Sequence, residues 1–518
     1  MRGKAISLLS LVVVVLTAVS SSGSVSEATI NVGTGHSRQE TVASYQVALA
    51  SPDDWPTVQK NPQRTGYASE SVEPPYFIKW TWNTNQAAAV RISGKTQPVV
   101  SQGMVFIGAY DGRLYALDAN SGAQLWSFPT GGPIFHSAAA DGDGRVYFGS
   151  DDKYIYAVDI TTGQCAWAYR TGAGVWVAPL VVDGVVYAGS RDGYFYALDA
   201  ASGRLRWRFK TGGPILNTAA YSNGRVFFGS DDMYAYALGA SDGVLQWRTK
   251  LPGQSFRDYW PVVSEKQNVV IFRTMPVYPH LDMLDAEFSA VLEPTRNQGF
   301  EAEIAAAVSY LRGNRARQSL FVLDLVSGRE RYVAPVLWTG GVGGPAAPPV
   351  IDPTGDKAYL VTLSNQGYWL QAGGFYDFRS AAALALLNLS TGDIAIVQPN
   401  PPASPSNPQR AFRLIGDETS SLSLLGSSLY VSMSQGVGKI DLSTGALSHA
   451  IHEMEPPLDG FTYATNLAIF DRSESLAFSS ESTSAHLAPA WAPAIVSHGA
   501  VFWKSDGGAL VALVHQQR

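Results

Sequence analysis

Polar, charged and aromatic side chains recur at one place in the pattern of this chain, just before a short apolar run. Lys95, His136, Trp176 and Asn217 fill that place at steps of 41, 40 and 41 residues. The same place is filled later by Arg257 or Asp258, and by Asp417 or Glu418. A cation, an imidazole, an indole, an amide and carboxylates suit a polar or anionic ligand if the fold gathers them at one point. The alternative interpretation is that they line a solvated channel.

Two other groups contain residue types that bind transition metals. His280 lies near Asp282, and His449 lies near His452 and Glu453. Each group offers too few ligands for a zinc-type site, so we interpret both as structural or surface residues. The chain also contains no nucleophile elbow, phosphate loop or HExxH motif.

The elements that position these residues are repeats of about 40 residues. Four tryptophans, Trp126, Trp167, Trp207 and Trp247, follow one another at steps of 41, 40 and 40 residues. Each closes a copy whose turn ends in glycine, at Gly122, Gly163, Gly203 and Gly243. Short β-type runs at this period, broken by Gly and Asp turns, are typical of propeller blades. We expect the tryptophans to pack between neighbouring blades rather than to bind a ligand.

The repeat weakens after Trp247 but continues to the end of the chain. Further copies end near Tyr332, Ile396 and His449, and an eighth begins at Ala494 and lacks its last strand. The isolated strand around Trp80 supplies the missing strand, because a closed ring leaves no free sheet edge. The sequence therefore predicts an all-β, eight-bladed β-propeller closed by pairing the N-terminal strand with the last blade.

Insertions and terminal segments complete the expected organisation. We predict a signal peptide over residues 1–20, a flexible linker over 21–51 and the propeller over 52–518. Within the propeller, residues 276–318 form a helical insertion in blade five, with helices near 281–293 and 301–312. The second helix would place Ile304, Val308 and Leu311 on one face. Residues 453–493 form a second, partly Ser-rich insertion.

The N-terminus predicts export to the periplasm or the extracellular space. Arg2 and Lys4 precede an apolar run of about fifteen residues that ends in small residues, as in a cleaved signal peptide. An uncleaved anchor is the alternative, but a membrane span needs about 20 apolar residues. The single cysteine, Cys165, lies far from the cleavage region, so no lipobox anchor is expected. We expect Cys165 to be a small, buried hydrophobic residue.

Composition narrows the classes of partner. The net charge is −6, with 37 Lys and Arg against 43 Asp and Glu. No basic run is present, which argues against nucleic-acid binding. We expect a monomeric propeller without a transmembrane span after signal cleavage.

Two segments of the sequence resemble those of a known type of propeller repeat. The run Leu114-Tyr115-Ala116-Leu117-Asp118, followed by the Ser-Gly turn and Trp126, resembles the pyrroloquinoline-quinone (PQQ) type of propeller repeat. The opening phrase, with Trp55-Pro56, Asn61-Pro62 and Arg64-Thr65-Gly66-Tyr67, is similar to the N-terminal phrase of the same superfamily. That superfamily includes quinoprotein dehydrogenases and outer-membrane assembly lipoprotein propellers. The resemblance covers about residues 52–515.

The resemblance implies two functions. Quinoprotein dehydrogenases hold PQQ and a calcium-type ion on the axis with an Asp base, and many contain adjacent disulfide-bonded cysteines. This chain has neither an adjacent cysteine pair nor a Cys-x-x-Cys-His haem motif. Our first hypothesis is therefore an exported, non-catalytic module for assembly or for binding a protein partner or ligand at the cell envelope, with no cofactor assured. The alternative is a PQQ- and calcium-dependent oxidoreductase of alcohols or sugars.

A third hypothesis is carbohydrate binding. It depends on exposed aromatic residues in the sixth repeat, namely Tyr368, Trp369, Phe375 and Tyr376.

Overall fold

Eight antiparallel sheets form the blades of a propeller in the computed structural model. The described residues all belong to one of the two compact units of the chain, Val47–Arg518. They are residues 51–73, 76–83, 90–257, 259–276, 288–337, 347–364, 381–397, 421–433, 436–443, 447–449, 492–504 and 509–515. The predicted all-β, eight-bladed propeller is confirmed.

Blades one to four each consist of four consecutive strands, ordered from the axis outwards. Blade one contains Val99–Ser101, Met104–Gly108, Arg113–Asp118 and Gln124–Pro129. Blade two contains Ala139–Ala140, Arg145–Gly149, Tyr154–Asp159 and Cys165–Arg170. Blade three contains Leu180–Val182, Val185–Gly189, Tyr194–Asp199 and Leu205–Lys210. Blade four contains Ala220–Ser222, Arg225–Ser230, Tyr234–Gly239 and Leu245–Lys250.

Blades five to eight keep this order with longer connections. Blade five contains Val262–Ser264, Val269–Arg273, Leu320–Asp324 and Glu330–Val333. Blade six contains Val350–Ile351, Lys357–Ser364, Ala381–Asn388 and Ile394–Ile396. Blade seven contains Leu422–Leu425, Ser428–Met433, Gly436–Asp441 and Leu447–His449, with Tyr67–Ala68 added in parallel to its inner strand. Blade eight contains Ile495–Ser497, Ala500–Lys504, Leu510–His515 and Tyr76–Trp82.

The last blade closes the ring with a strand from the other end of the chain. Tyr76–Trp82 pairs antiparallel with Leu510–His515, so that Tyr76 lies opposite His515 and Trp82 opposite Leu510. The strand around Trp80 is therefore the outer strand of blade eight, as the sequence predicts. Closure removes the two exposed edges that an open array of blades would leave.

Turn chemistry and burial explain the strands within a blade. Asp183 and Gly184 connect the first two strands of blade three with φ values of 51° and 68°, the positive values that a two-residue hairpin turn requires. The second strand of that blade, Val185–Gly189, is buried at every position. Its outer strand, Leu205–Lys210, is mostly exposed. The core therefore lies between the second and third strands of adjacent blades.

The helical insertion of blade five is present in the described part of the chain. An α-helix spans Phe300–Gly313, close to the predicted 301–312. Its buried line is Glu303, Ala307 and Leu311, while Ile304 and Val308 are half-buried. Short helical turns flank it at Phe288–Leu292, Glu293–Thr295 and Arg315–Arg317, and a two-stranded ribbon pairs Gln254–Ser255 with Met275–Pro276. Most of the first predicted helix lies outside the described residues, and no described helix is long and apolar enough to cross a membrane.

The repeated tryptophan bridges each blade to the next. The indole N–H of Trp126 donates to the backbone oxygen of Ile160 at 2.8 Å, and Trp167 and Trp207 do the same to Ala200 and Ala240 at 2.9 Å. The ring lies against the turn glycine of the following blade. A Cβ on Gly163, whose φ is 68°, would lie 2.7 Å from Cδ2 of Trp126. Only glycine allows this approach.

The row of bridging residues is longer than the four tryptophans of the sequence pattern. Trp247 donates to the backbone oxygen of Leu325, and Trp80 of blade eight donates to that of Ala119, both at 3.1 Å. In blade five the hydroxyl of Tyr332 donates to the equivalent oxygen of Leu389 at 3.1 Å. One repeated contact therefore joins six of the eight pairs of neighbouring blades, and it tolerates a change from indole to phenol.

The single cysteine differs from expectation. Cys165 is exposed, so the prediction of a buried cysteine is wrong. It begins the outer strand of blade two, where the side chains alternate between exposed and half-buried positions. The sequence predicts a β-strand at Cys165 whether the residue is buried or exposed. The exposure follows from the position of this strand at the outer edge of the blade.

Candidate functional site

The N-terminal residues 51–68, here called the axial segment, cross the centre of the propeller. Backbone hydrogen bonds of 2.7–2.9 Å join it to the inner strands of six blades: blade one at Val100, blade two at Ala140, blade four at Tyr221, blade five at Val263, blade six at Ile351 and blade seven at Leu424. The Ser497 hydroxyl of blade eight donates to the Asp53 oxygen at 2.7 Å. Because inner strands surround the axis, a segment bonded to seven of them lies on it.

Tight turns allow the axial segment to reach so many strands. Gln59, Lys60 and Arg64 have φ values of 57°, 74° and 60°, a region that non-glycine residues rarely occupy. Gly66, with φ of 69°, lies so close to its neighbours that a Cβ would be 2.6 Å from Gln59 Oε1 and 2.7 Å from Val350 Cγ1. Such conformations persist where surrounding contacts determine them.

A buried carboxylate fixes the start of the axial segment at the junction of blades one and eight. Asp54 is 3% exposed, and its Oδ1 contacts Nε2 of His498 at 2.7 Å. Its Oδ2 accepts from the backbone N–H of Gln102 at 3.1 Å and from the Ser101 hydroxyl at 3.3 Å. The carboxylate is thus satisfied by protein groups and serves to close the ring.

A row of aromatic rings lies on the rim of blades one to three. Tyr110 meets Phe135 edge to face at 5.2 Å, and Phe135 meets Trp176 at 4.8 Å. The guanidinium of Arg91 lies 4.8 Å from the Tyr110 ring, and that of Arg191 lies 4.0 Å from the Trp176 ring. We call these five residues the rim cluster. Its three rings are half-exposed and its two arginines are exposed.

The blade-to-blade geometry holds the rim cluster in place. The turn between the second and third strands of blade two contacts the segments before two inner strands. The Asp151 N–H donates to the Pro133 oxygen before the inner strand of its own blade at 2.9 Å, and the Ser150 oxygen accepts from the Val175 N–H before the inner strand of blade three at 3.0 Å. The indole N–H of Trp176 donates to Asp151 Oδ1 at 2.7 Å, and Arg191 lies 3.7 Å from the same oxygen. The carboxylate therefore orients both the ring and the cation above it.

The tyrosines on this side of the blades are structural groups rather than acids or bases. The hydroxyls of Tyr115, Tyr156, Tyr196 and Tyr236 donate to Asp111, Asp152, Asp192 and Asp232 at 2.6–2.7 Å. Burial, with the adjacent carboxylate, raises the pKa of each of these tyrosines well above its ordinary value. They stay protonated at neutral pH.

Two of the sequence candidates are buried in the packing between blades. The Asn217 side chain, 2% exposed, donates to the Tyr259 oxygen at 2.8 Å and accepts from the Gly229 N–H at 3.1 Å. His136 is 3% exposed, and its Nδ1 accepts from the Ser137 N–H at 2.9 Å. Both amide atoms of Asn217 are thus engaged by the fold.

The other described candidates lie nearer the surface. Trp176 is in the rim cluster, and Lys95 is half-buried in a turn before the inner strand of blade one. Arg257 is exposed and pairs with Asp231 at 3.2 Å. Outside the described residues lie Asp258, Asp417 and Glu418, the four aromatic residues 368, 369, 375 and 376, and both metal-type groups except for the strand position of His449.

Sequence reasoning found one member of the rim cluster and missed four. The periodic place selected His136 and Trp176, but the ring that meets Trp176 is that of Phe135, one residue earlier. Tyr110 and Arg191 stand at a turn position that the four repeats fill with Tyr, Asp, Arg and Asp, so no shared residue type marks it. Arg91 lies in the connection before blade one. The signal that could have found them is the turn between the second and third strands of each blade. Its place in the repeat puts it beside the segment before the inner strand of the next blade.

A family comparison assigns the fold. The family model described as outer membrane protein assembly factor BamB matches residues 79–139, 111–220 and 196–482. The chain belongs to this PQQ-repeat family. None of the curated proteins matches the chain.

Solved structures agree with the PQQ-repeat fold at low identity. A quinohemoprotein alcohol dehydrogenase from Comamonas testosteroni is 14% identical with a TM-score of 0.53, covering 90% of this chain and 81% of its own. A europium-containing methanol dehydrogenase is 13% identical with a TM-score of 0.52, covering 77% and 85%. BamB from Moraxella catarrhalis is 13% identical with a TM-score of 0.48, covering 82% and 98%. The likeness to the two dehydrogenases, at 13% and 14% identity, shows the fold alone.

The described residues do not fit the calcium ion of quinoprotein members of the PQQ-repeat superfamily. Calcium requires six to eight oxygen ligands around one point. No described group of three or more His, Cys, Asp or Glu side chains is arranged to hold a metal. On the rim, the Asp151 carboxylate accepts from Trp176, and that of Asp231 accepts from Arg257 and the Ser255 hydroxyl. These oxygens are committed to orienting protein side chains.

Proposed function

We propose that this chain is an exported, non-catalytic PQQ-like propeller that binds a protein partner at the cell envelope through the rim cluster. The observation that carries the proposal is a row of accessible aromatic and arginine side chains beside an axis that the chain's own axial segment occupies. The rim offers contact area, whereas the axis is used for internal bonding.

The composition of the rim cluster matches that of strong protein-binding sites. Trp, Tyr and Arg are the residues most enriched among those that dominate binding energy. Trp176 is held by Asp151 at 2.7 Å and covered by Arg191 at 4.0 Å. Its orientation is set before a partner arrives, so little side-chain entropy is lost on binding.

Charge defines the partner surface that fits. Arg91 and Arg191 are exposed, and Arg191 is 44% exposed while it shares Asp151 with Trp176. The Asp151 carboxylate is divided between two donors, so the rim as a whole presents guanidinium groups around an aromatic row. A partner segment with a carboxylate next to an apolar side chain complements this arrangement.

Two further lines support a location at the envelope. The family is described as an outer membrane protein assembly factor, which is a protein-binding role in the envelope. The N-terminal residues carry the charge and hydropathy pattern of an exported protein. Neither line depends on the rim cluster: the family description supports protein binding in the envelope, and the N-terminal pattern supports export.

The direct test is capture of envelope proteins by the immobilised chain. The wild-type chain is compared with a double variant, Trp176→Ala with Arg191→Ala, and with Val244→Ala as the matched control. Val244 is 55% exposed in blade four and lies outside the rim cluster. We expect a discrete partner with the wild type and with the control, and its loss with the double variant. Equal capture by all three chains would refute the rim as the binding site.

The oxidoreductase alternative has its own test. Purified protein is mixed with PQQ and calcium, and quinone uptake is measured together with dye reduction on alcohols and sugars. The proposal predicts no stoichiometric uptake and no dye reduction. Uptake of one quinone per chain, with substrate-dependent reduction, would overturn the non-catalytic assignment.

A further inference from the structure

One charged side chain on the propeller axis has no counter-ion in the described part of the chain. Arg64 is 0% exposed, and its guanidinium meets only neutral oxygens. Nε donates to the Ala219 oxygen at 3.0 Å, and Nη1 donates to the Thr57 hydroxyl at 2.6 Å and the Val58 oxygen at 2.8 Å. Nη2 has no hydrogen-bond partner among the described residues. A buried, uncompensated charge is costly.

The charge is present at neutral pH. Burial lowers the pKa of Arg64 to about 9, which still leaves the guanidinium protonated at pH 7. A neutral arginine therefore does not resolve the cost, and the site needs negative charge or strong acceptors from elsewhere.

Further buried polar atoms without a protein partner surround the axial segment, and most of them are hydrogen-bond donors. Among them are the donors Thr96 Oγ1, Gln97 Nε2, Trp260 Nε1 and Ser421 Oγ and the acceptor Gln59 Oε1. All five residues are at most 2% exposed. Buried polar groups in proteins are nearly always satisfied, so orphaned donors around the segment that carries a buried cation indicate an acceptor that the described residues do not supply.

The repeat places these donors in one layer. Gln97 and Trp260 lie two residues before the inner strands Val99–Ser101 and Val262–Ser264, and Ser421 lies one residue before Leu422–Leu425. These positions face the axial segment, since the Gln59 N–H donates to Gln97 Oε1 at 2.9 Å and its Nε2 donates to the Leu422 oxygen at 3.3 Å. Gln59 follows Val58, whose oxygen accepts from Arg64.

Blade four connects the same layer to Trp260. The Ala219 oxygen that accepts from Arg64 belongs to the residue after Thr218, whose N–H donates to the Tyr259 oxygen at 2.8 Å. Tyr259 immediately precedes Trp260. Hydrogen bonds therefore link Arg64 on one side to blade five and on the other side to blades one and seven.

We propose that the axis binds a small inorganic anion of halide size beside Nη2 of Arg64. The anion accepts from the guanidinium and from neighbouring donors of the layer, and it compensates the buried charge. Small size is required because every donor atom is enclosed. Charge-assisted hydrogen bonds of this kind are about twice as strong as neutral ones.

Anomalous diffraction from crystals of the full chain grown in sodium bromide tests the proposal. We expect a bromide peak within hydrogen-bond distance of Arg64 Nη2 and of at least one of the layer donors. Bromide found only at the surface, ordered water alone at this position, or a protein carboxylate against Nη2 would each overturn the proposal.

Thermal unfolding gives a second readout in solution. Chloride or bromide replaces isethionate at constant ionic strength, because isethionate is too large for the enclosed position. We expect a saturable rise of about 2 °C in the melting temperature of the wild type. A melting temperature that does not respond to the halide contradicts the proposal.

A conservative variant locates the effect. Trp260→Phe keeps an aromatic ring and removes the Nε1 donor. The halide concentration that gives half of the maximal rise in melting temperature should therefore increase about tenfold. Trp126→Phe is the matched control, since its N–H bonds to the Ile160 oxygen instead. The control should melt at a lower temperature and keep the wild-type halide response. Equal halide responses in the two variants would show that Trp260 does not bind the anion. The presence or absence of the bromide peak at Arg64 Nη2 would then support or overturn the proposal.

Discussion

The axial segment and the rim cluster use side chains in opposite ways. The axial segment, residues 51–68, turns buried groups towards the blades and bonds to seven of them. The rim cluster turns Trp176, Phe135 and Arg191 outwards, and the Asp151 carboxylate holds Trp176 and Arg191. The comparison teaches that closure of the ring and recognition of a partner are assigned to separate residues. Substitutions in the first set should change stability, and those in the second should change binding.

The largest effect is expected where the axial segment passes closest to the blades. Gly66→Ala introduces a Cβ 2.6 Å from Gln59 Oε1 at a φ of 69°. We expect a loss of about 3 kcal/mol in the free energy of unfolding, from backbone strain and overpacking together. Urea unfolding measures it. Gly103→Ala is the matched control, because Gly103 has a φ of 75° and no atom within 4 Å of the new Cβ, and it should cost about 1 kcal/mol.

The next effect concerns the bridge between blades. Trp126→Ala removes the ring that lies against Gly163 and the bond to Ile160, and we expect a loss of about 3 kcal/mol since the ring is half-buried. Trp126→Phe retains the ring and should cost about 1 kcal/mol. Chemical denaturation of both variants separates packing from hydrogen bonding. Equal losses would show that the hydrogen bond dominates.

The rim should respond in affinity and barely in stability. Arg191→Ala removes an exposed cation that stacks on Trp176, and we expect its unfolding free energy to stay within about 0.5 kcal/mol of wild type. Affinity for the envelope partner captured by the wild-type chain should fall about 30-fold, as for a residue that contributes about 2 kcal/mol to binding. Surface plasmon resonance measures the affinity. A loss in unfolding free energy larger than the loss in binding free energy would contradict the division of roles between the axial segment and the rim cluster.

The smallest effect is the acid dependence of a turn in blade three. Hydrogen bonds from Arg206 and from Ser202 lower the pKa of Asp199 to about 2. Because the folded pKa lies below the ordinary value of 3.8, the stabilisation is complete above about pH 4 and is lost as the pH falls towards 2. Asp199→Asn should flatten this part of the stability profile by about 0.5 kcal/mol at most, since the pair is exposed. Unfolding midpoints between pH 2 and 6 provide the check.

The sequence predicts the fold well because the repeated residues determine local structure, namely the turns and the short strands between them. The 40-residue period, the glycine turns and the missing strand of blade eight are all local signals, and the pairing of Tyr76–Trp82 with Leu510–His515 follows from the need to close the ring. The exposure of Cys165 was mispredicted because a strand's place within a blade depends on its neighbours.

The candidate site was less predictable because its members come from different parts of different repeats. Trp176 stands at the periodic place, whereas Asp151 and Arg191 stand in the turns of two blades and meet it only after those blades pack. Asn217 has the same periodic place as Trp176, yet its amide is used by Tyr259 and Gly229. Periodicity thus locates a layer of the propeller without telling which of its side chains face the solvent.

Photo-crosslinking in living cells tests the central claim, that the rim cluster is a protein-binding site, most directly. A photoreactive phenylalanine analogue replaces Phe135 in one chain and Val244, which is 55% exposed in blade four, in another. We expect a discrete crosslinked product at position 135, weakened when Arg191→Ala is added, and none at position 244. No product at position 135, or the same product from both positions, would contradict the account.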